Sequence, residues 1–307
     1  MDMHIKIGTR GSKLALWQAY HVEELLKEAG ATTEIVVIHT KGDKILDRSL
    51  SKIGSKGVFT EELEEQLLDG SVDIAVHSAK DLQSDIGEKF EVIAFLEREK
   101  INDVLASKKK VNLTDDIVVG TSSTRRIAML RAFYPQVKIV DMRGNLQTRI
   151  AKMESGVCDA LLLAYAGVHR MEYHDIIQEV LDEKTFTPAV GQGSVAIETA
   201  INIDSEKRDF VRNTCNHAET ERRLLTERAF LKTVNGGCSI PVFGTASLNS
   251  ENEISLNAGI ISLDGQKVLR IKEQGIDPQS LGKTVGEKLL ASGGKEILAE
   301  IRIEISK

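Results

Sequence analysis

Short apolar segments that alternate with amphipathic segments constrain this chain most strongly. Ile5–Gly8 has the pattern of a buried strand, and Ser12–Lys27 has helical spacing with Ser12 near its start. Further predicted elements are the strands Glu34–Ile38, Val72–His77 and Val92–Leu96 and the helix Thr60–Leu68. This order of strands and helices predicts a parallel or mixed sheet with helices on its faces.

The same alternation begins again in the middle of the chain. The predicted strands there are Ile117–Gly120, Val137–Val140 and Asp159–Ala164, and the predicted helices are Thr124–Phe133 and Leu146–Glu154. Val195–Glu198 resembles one more strand, which could return to the first group and make the first lobe discontinuous. Two similar α/β lobes are therefore predicted.

The C-terminal part has a different pattern. Val242–Ser247, Glu253–Ile260 and Val268–Lys272 alternate polar and apolar residues, as antiparallel strands do. Helical patterns occupy Ala218–Leu231, Pro278–Leu290 and Lys295–Ile301. We predict an α/β protein with lobe 1 at residues 1–97 and 194–216, lobe 2 at 98–193 and a small C-terminal α+β domain at 217–307.

Composition excludes several classes of protein. The 307 residues carry a net charge of −6 without a basic tail, which argues against a general nucleic-acid binder. No apolar run is long enough to span a membrane, and the first residues lack a secretory signal. Cys158, Cys215 and Cys238 are widely separated, so we predict reduced thiols, a cytoplasmic protein and no metal site.

The clearest electrostatic signal lies between residues 120 and 150, where the arginines and lysines outnumber the acidic residues by five. Arginine pairs with carboxylate or phosphate through two parallel hydrogen bonds. Arg125 and Arg126 lie at a predicted strand-to-helix junction, Arg143 lies at the next one, and Arg10 follows the first strand. Ligands of α/β sheets bind beyond these strand ends, so an anion site is favoured over a solvated basic face.

Two further segments are candidates for chemistry. Lys80 and Asp81 directly follow a predicted strand, where Lys80 could hold an anion and Asp81 could serve a proton or a cation. An ordinary surface pair explains these two residues equally well. Cys238 follows two glycines on a predicted tight loop, so it could be a nucleophile or an attachment point, or a small buried side chain.

Taken together, these motifs resemble the porphobilinogen deaminase family nearly from end to end. No single motif is decisive, but their order and spacing are specific. The matching segments are Gly8–Gln18, Thr40–Asp43, Lys52–Phe59, Asp73–Asp81, Gly120–Arg126, Arg143–Arg149, Pro188–Gly193, Asn216–Thr220 and Gly236–Cys238.

The resemblance implies a transferase of tetrapyrrole and haem biosynthesis. Enzymes of this family join four porphobilinogen molecules head to tail, with release of ammonia, into linear hydroxymethylbilane. They carry a dipyrromethane cofactor on a cysteine thioether, which by match is Cys238, and the family's catalytic aspartate matches Asp81. The family fold implies two periplasmic-binding-protein-like lobes around a cleft, a small C-terminal domain that carries the cofactor, and a monomer.

Each pyrrole carries an acetate and a propionate, so a growing chain is a string of carboxylates that arginines can hold in bidentate fashion. By resemblance, the cofactor-binding residues are Cys238, Ser12, Lys80, Asp81, Thr121, Ser122, Ser123, Arg125, Arg126, Arg143 and Gly144. The substrate-binding residues implied are Arg10, Ser12, Lys56, Phe59, Arg143, Arg149, Arg170 and Gln192. The chain departs from the family at Ala79, Gln83 and Asn102, where methionine, proline and arginine are usual, and at Thr124 and Ser239.

Two other functions remain compatible with the residues alone. Two lobes with arginines would suit a binding protein for a polycarboxylate ligand, and Cys238 could be the turnover nucleophile of a thiol enzyme. Only the deaminase hypothesis expects a covalent excess of two pyrrole units in the intact mass of the chain.

Overall fold

The computed structural model describes residues 3–44, 60–237 and 239–306. Contacts between residues divide the chain into two compact units. The first unit comprises Met1–Ile45, Lys56–Glu99 and Gly193–Arg222, and the second comprises Leu46–Ser55, Lys100–Gln192 and Arg223–Lys307. The α/β class predicted from the alternation of strands and helices is confirmed.

The first unit is built on a mixed sheet of five strands. These strands are β1 (His4–Arg10), β2 (Thr32–Ile38), β3 (Ile74–Ser78), β4 (Phe90–Phe95) and β10 (Val195–Ala200), in the order β2-β1-β3-β10-β4. Strand β1 runs parallel to β2 and β3, whereas β10 runs antiparallel to β3 and β4. The predicted strand at Val195 therefore lies inside this first sheet.

Helices cover both faces of the first sheet. The helices of this unit are α1 (Lys13–Glu28), α2 (Lys41–Lys44), α3 (Glu61–Leu68) and α7 (Ser205–Cys215), and α1, α3 and α7 pack on the sheet. On one face Ile7, Val76 and Val22 share a buried cluster, and on the other Leu63 packs with Ala75. Helix α1 begins at Ser12, whose hydroxyl accepts a hydrogen bond from the Ala15 amide at 3.2 Å, as predicted.

The second unit contains a second mixed sheet, in the order β7-β6-β8-β5-β9. Its strands are β5 (Asp103–Ala106), β6 (Val118–Gly120), β7 (Lys138–Val140), β8 (Ala160–Ala164) and β9 (Ile177–Val180). Its helices are α4 (Thr124–Phe133), α5 (Leu146–Glu154) and α6 (Tyr165–Arg170). Strand β6 runs parallel to β7 and β8, and β5 runs antiparallel to β8 and β9.

The C-terminal part forms a separate antiparallel sheet of β11 (Val242–Leu248), β12 (Ile254–Ile261) and β13 (Val268–Gly275). The remaining helices are α8 (Ala218–Thr233), α9 (Pro278–Leu289) and α10 (Lys295–Ile305). A Cβ atom at Gly259 would lie 2.2 Å from the Leu269 carbonyl oxygen, so β12 and β13 approach closely only because glycine stands there.

Phe243 and Ile261 of this C-terminal sheet belong to the same buried cluster as Val119 of the second sheet. The two sheets therefore share one core within the second unit. The boundaries that separate three domains stay a prediction. Among the described residues, no helix combines the length and the apolar character that a membrane crossing requires.

Candidate functional site

In the first unit, four predicted site residues lie at one edge of the sheet. Arg10 is the last residue of β1, and Ser12 caps α1. Lys80 and Asp81 occupy a short 3₁₀ turn that directly follows β3. Because β1 and β3 are parallel neighbours, their carboxyl ends lie at the same edge of the sheet, where α/β proteins place ligands.

The turn that carries Lys80 and Asp81 is anchored on both sides. Before the turn, the Gln18 amide donates a hydrogen bond to the Ser78 hydroxyl at 2.9 Å, and the Ala79 amide donates to the Ser194 carbonyl at 2.9 Å. After the turn, the Gln83 amide donates to Thr60 Oγ1 at 3.2 Å. The backbone on either side of Asp81 is therefore held by other elements of the unit.

His77, the histidine nearest to this turn in sequence, points into the protein interior. Its Nε2 lies 3.0 Å from Oε2 of Glu198, and both side chains are almost completely buried. His77 therefore lies in the interior of the unit, whereas Lys80 and Asp81 are the predicted site residues at the sheet edge.

In the second unit, hydroxyl side chains organise the loop after β6. Ser123 caps α4 by accepting a hydrogen bond from the Arg126 amide, and Ser122 accepts one from the Met142 amide at 3.0 Å. Thr121 is buried and its hydroxyl accepts a hydrogen bond from the Ser123 amide at 3.3 Å. These hydroxyls thereby shape the junction that presents α4.

Arg125 and Arg126 converge on one carboxylate. Nη1 of Arg125 lies 2.7 Å from Oδ2 of Asp103, and Nη2 of Arg126 lies 2.7 Å from Oδ1. The Gln192 amide also donates to Oδ1 of Asp103, at 2.9 Å. All four side chains are buried, so this cluster is an internal charge network at the sheet edge.

The electrostatics of this cluster are dominated by burial and by the two arginines. Burial alone would raise the pKa of the Asp103 carboxyl, but the charges of Arg125 and Arg126 hold it well below its ordinary value. Burial also lowers the pKa of Arg125, and the Asp103 charge opposes that change. The cluster contains two guanidinium groups and one carboxylate, and Nε of Arg125 is buried without a hydrogen-bond partner among the described residues.

Arg143, Gly144 and Arg149 lie together after β7. The Nε atom of Arg149 donates a hydrogen bond to the Gly144 carbonyl at 2.8 Å. Gly144 has φ of +115°, and a Cβ atom there would lie 2.7 Å from Thr148, so the turn requires glycine. Arg143 is mostly buried, and Arg170 is the last residue of α6, which follows the parallel strand β8.

Three predicted site residues, Lys56, Phe59 and Cys238, lie outside the described residues. The other two cysteines are buried thiols. Burial raises the pKa of Cys215 to about 12 and raises the pKa of Cys158 as well. Both thiols are therefore protonated at neutral pH and are poor nucleophiles.

The sequence did not indicate three acidic residues that organise these edges. Asp103 binds the two arginines, Glu198 pairs with His77, and Glu64 accepts a hydrogen bond from Gln83 at 3.4 Å. Each acid lies far along the chain from its partner, and only the pairing of strands and the packing of α3 bring them together. No local motif marks such contacts.

Comparison with known proteins gives a consistent result along the whole chain. Residues 5–207 match the model of the porphobilinogen deaminase dipyrromethane cofactor binding domain, and residues 222–291 match the porphobilinogen deaminase C-terminal domain. A porphobilinogen deaminase of Cytophaga hutchinsonii is 55% identical, with 100% of both chains covered. One from Desulfosudis oleivorans is 49% identical, with 98% of both covered.

The solved structures that are similar to this chain have much lower sequence identity. The VFT2 domain of BvgS from Bordetella pertussis, solved as a double mutant, matches with 16% identity and a TM-score of 0.44, covering 69% of this chain and 86% of that chain. The methionine-binding protein MetQ matches with 15% identity and a TM-score of 0.44, covering 69% and 89%. The family models and the full-length relatives decide the assignment: this chain belongs to the porphobilinogen deaminase family.

Proposed function

We propose that this chain releases ammonia from porphobilinogen and joins four of these molecules head to tail into hydroxymethylbilane, with Asp81 as the catalytic residue. Membership of the deaminase family favours this enzyme over a binding protein for a polycarboxylate ligand. The dipyrromethane cofactor of the family, when bound, supplies the pyrrole end from which the product grows. The remaining chemistry belongs to residues at the edges of the two α/β sheets.

The observation that carries this proposal is the excess positive charge around Asp103. Arg125 and Arg126 share this single carboxylate, and the Nε–H group of buried Arg125 donates to none of the described residues. A buried guanidinium group that is only partly compensated favours a further anion. The acetate and propionate groups of a dipyrromethane are such anions, so the residues present fit the cofactor.

The residues of the first unit suit the reacting pyrrole. Asp81 is held at the carboxyl end of β3, where its carboxylate can accept hydrogen bonds from pyrrole N–H groups. Loss of ammonia leaves positive charge on the pyrrole, and a positioned carboxylate stabilises such charge in the transition state. Lys80 and Arg10, at the same edge, provide cations for the carboxylates of the substrate.

In the second unit, Arg143, Arg149 and Arg170 lie after parallel strands and provide further cations for acetate and propionate groups. Gln192 donates to the Ile101 carbonyl at 2.6 Å and to Asp103, so its role is to fix the arginine cluster. The hydroxyl groups of Ser122 and Ser123 hold the loop that precedes α4.

Intact-mass measurement of the purified chain tests the cofactor assignment. We expect an excess of two pyrrole units that persists after denaturation, because a thioether is covalent. Cys238→Ser should lose this excess, whereas Cys158→Ser and Cys215→Ser, which change buried and protonated thiols, should retain it. Loss of the excess in a Cys158 or Cys215 variant, with retention in the Cys238 variant, would reassign the attachment site.

We also propose that the enzyme acts as a monomer in the cytoplasm. The buried free thiols of Cys158 and Cys215 support a reducing compartment. Light scattering of the cofactor-loaded protein should give the mass of a single 33.8 kDa chain, and cell fractionation should place it with cytoplasmic markers. A stable dimer or an extracytoplasmic location would contradict these two assignments separately.

A further inference from the structure

Three acid–base side chains face one another between α3 and the first sheet. In β3, His77 lies two residues after Ala75, and in β10, Glu198 lies two residues before Ala200. Ala75 and Ala200 belong to the buried cluster that packs against α3, and side chains two residues apart on a strand share a face. His77 and Glu198 therefore lie on the α3 side of the sheet.

The His77–Glu198 contact leaves acceptor capacity on the carboxylate. The groups approach to 3.0 Å without the alignment of a hydrogen bond, and Oε1 of Glu198 is buried without a partner among the described residues. The third member of the cluster, Glu64 of α3, interacts with the charges of both His77 and Glu198. This cluster holds two carboxyl groups and one imidazole, of which His77 and Glu198 are buried and Glu64 is partly exposed.

Glu64 is the member of this cluster that connects to the candidate site. Burial raises the pKa of Glu64 and is the largest cause, the hydrogen bond with Thr60 opposes it, and the charge of Glu198 adds to it. His77 and Gln83 oppose it more weakly. Glu64 therefore takes up a proton more readily than an ordinary surface glutamate does.

Gln83 connects Glu64 to the turn that carries Asp81. The Gln83 amide donates hydrogen bonds to Oγ1 of Thr60 at 3.2 Å and to Oε1 of Glu64 at 3.4 Å. Gln83 follows Asp81 by two residues, so these bonds fix the end of the turn against the start of α3. An amide donor binds an ionised carboxylate more strongly than a neutral acid, so protonation of Glu64 weakens this connection.

We propose that Glu64 and Gln83 are positioning residues that form a proton-sensitive tether for the Lys80–Asp81 turn, and that this tether contributes to the acid limb of the deamination rate. The inference rests on the proposed role of Asp81. This role requires no contact of Glu64 or Gln83 with the substrate. As Glu64 becomes protonated, the turn loses one of its attachments, and the placement of Asp81 relaxes.

Single-turnover ammonia release, measured from mild acid to neutral pH on cofactor-loaded protein, tests the tether. At neutral pH, Glu64→Gln and Gln83→Leu should each slow release by roughly threefold to tenfold, as expected for loss of a hydrogen bond to a charged group. Both variants should converge with the wild-type enzyme in acid, because the tether is already weakened there. Glu65→Gln, an exposed change on the same helix, should retain the wild-type pH profile.

The double variant separates the tether from two independent structural effects. If Glu64 and Gln83 act as one unit, Glu64→Gln combined with Gln83→Leu should be no slower than either single variant. Multiplicative slowing, or a wild-type pH profile in Glu64→Gln, would overturn the proposal. Where Glu64→Gln fails to fold, the profile of Gln83→Leu decides alone: a flattened acid limb supports the tether and an unchanged one contradicts it.

Failure of the tether and failure of the proposed function give different results. Near-normal ammonia release by Asp81→Asn would remove Asp81 from the mechanism, whatever the Glu64 and Gln83 variants do. A strong defect in Asp81→Asn together with additive effects at Glu64 and Gln83 would leave the proposed function intact and reject the tether alone.

Discussion

Oδ2 of Asp103 lies 2.7 Å from Nη1 of Arg125, and both side chains are almost completely buried. Arg126 takes the other carboxylate oxygen, at the same distance. One carboxylate thereby orients two consecutive arginines at the edge of the second sheet. This arrangement fixes both guanidinium groups in place, and it leaves more positive than negative charge within the cluster.

Asp103→Asn should destabilise the chain strongly. The substitution retains the shape of the side chain but leaves two buried guanidinium groups without their counter-charge, which typically costs about 3–5 kcal/mol of unfolding free energy. Denaturant unfolding at neutral pH measures this loss. The matched control is Asp116→Asn, which removes an exposed pair with Lys138 and should have little effect. Equal stability of the two variants would contradict the internal role of Asp103.

Arg143→Leu and Arg149→Leu should weaken cofactor assembly or substrate turnover by roughly tenfold or more, because each would remove a proposed charge-assisted pair with a carboxylate of the cofactor or substrate. Lysine at either position should rescue only partly, since it retains the charge and loses the planar fork. Arg131→Leu is the control, because this exposed arginine of the same basic segment binds the Leu263 carbonyl. If both Leu variants retain the wild-type adduct mass and turnover, Arg143 and Arg149 belong to a solvated basic surface and do not bind carboxylates.

Asp81→Asn should retain the fold and the cofactor adduct but lose most of the ammonia release, because the amide keeps the size and removes the negative charge. Asp81→Glu should retain more activity than Asn, since it moves the carboxylate by about one methylene and keeps its charge. Asp85→Asn, an exposed change on the same loop, is the control. A greater loss in Asp81→Glu than in Asp81→Asn would show that position matters more than charge.

Glu64→Gln should change the pH dependence of stability. The pKa of Glu64 is raised in the folded chain from its ordinary value of 4.5. The folded chain therefore binds this proton more tightly than the unfolded chain does, which adds to the free energy of unfolding. This contribution is complete below the unfolded pKa and is lost as pH rises through the folded pKa. The neutral glutamine avoids this loss. The denaturation midpoint of Glu64→Gln should therefore increase relative to the wild-type midpoint as pH rises from the unfolded pKa to above the folded pKa of Glu64. The midpoint of Glu65→Gln should show no such pH-dependent difference from the wild type.

Hydrophobic periodicity was sufficient to predict most of the elements that carry the site. The start of α1 at Ser12, the strand that begins at Val195 and the three C-terminal strands follow from capping and alternation. Strand β5 was not predicted, because its four residues are all buried and show no alternation. Helix α7 was not predicted either, because it is largely polar and buries only Val211 and Cys215.

The partners of the charged residues could not be predicted from local sequence. The spacing placed Arg125 and Arg126 at a strand end, as the structure has them, but it did not indicate Asp103 as their common partner. That contact arises because β5 runs antiparallel to β8 and brings its first residue to the same edge. The same limitation applies to His77 and Glu198, which meet only through the pairing of β3 with β10.

The ratio of ammonia released to tetrapyrrole formed tests the central claim most directly. Purified, cofactor-loaded enzyme supplied with porphobilinogen should release four molecules of ammonia for each hydroxymethylbilane that it discharges, with the covalent adduct unchanged at the end. Binding of porphobilinogen without release of ammonia, or release without a four-ring product, would contradict the account.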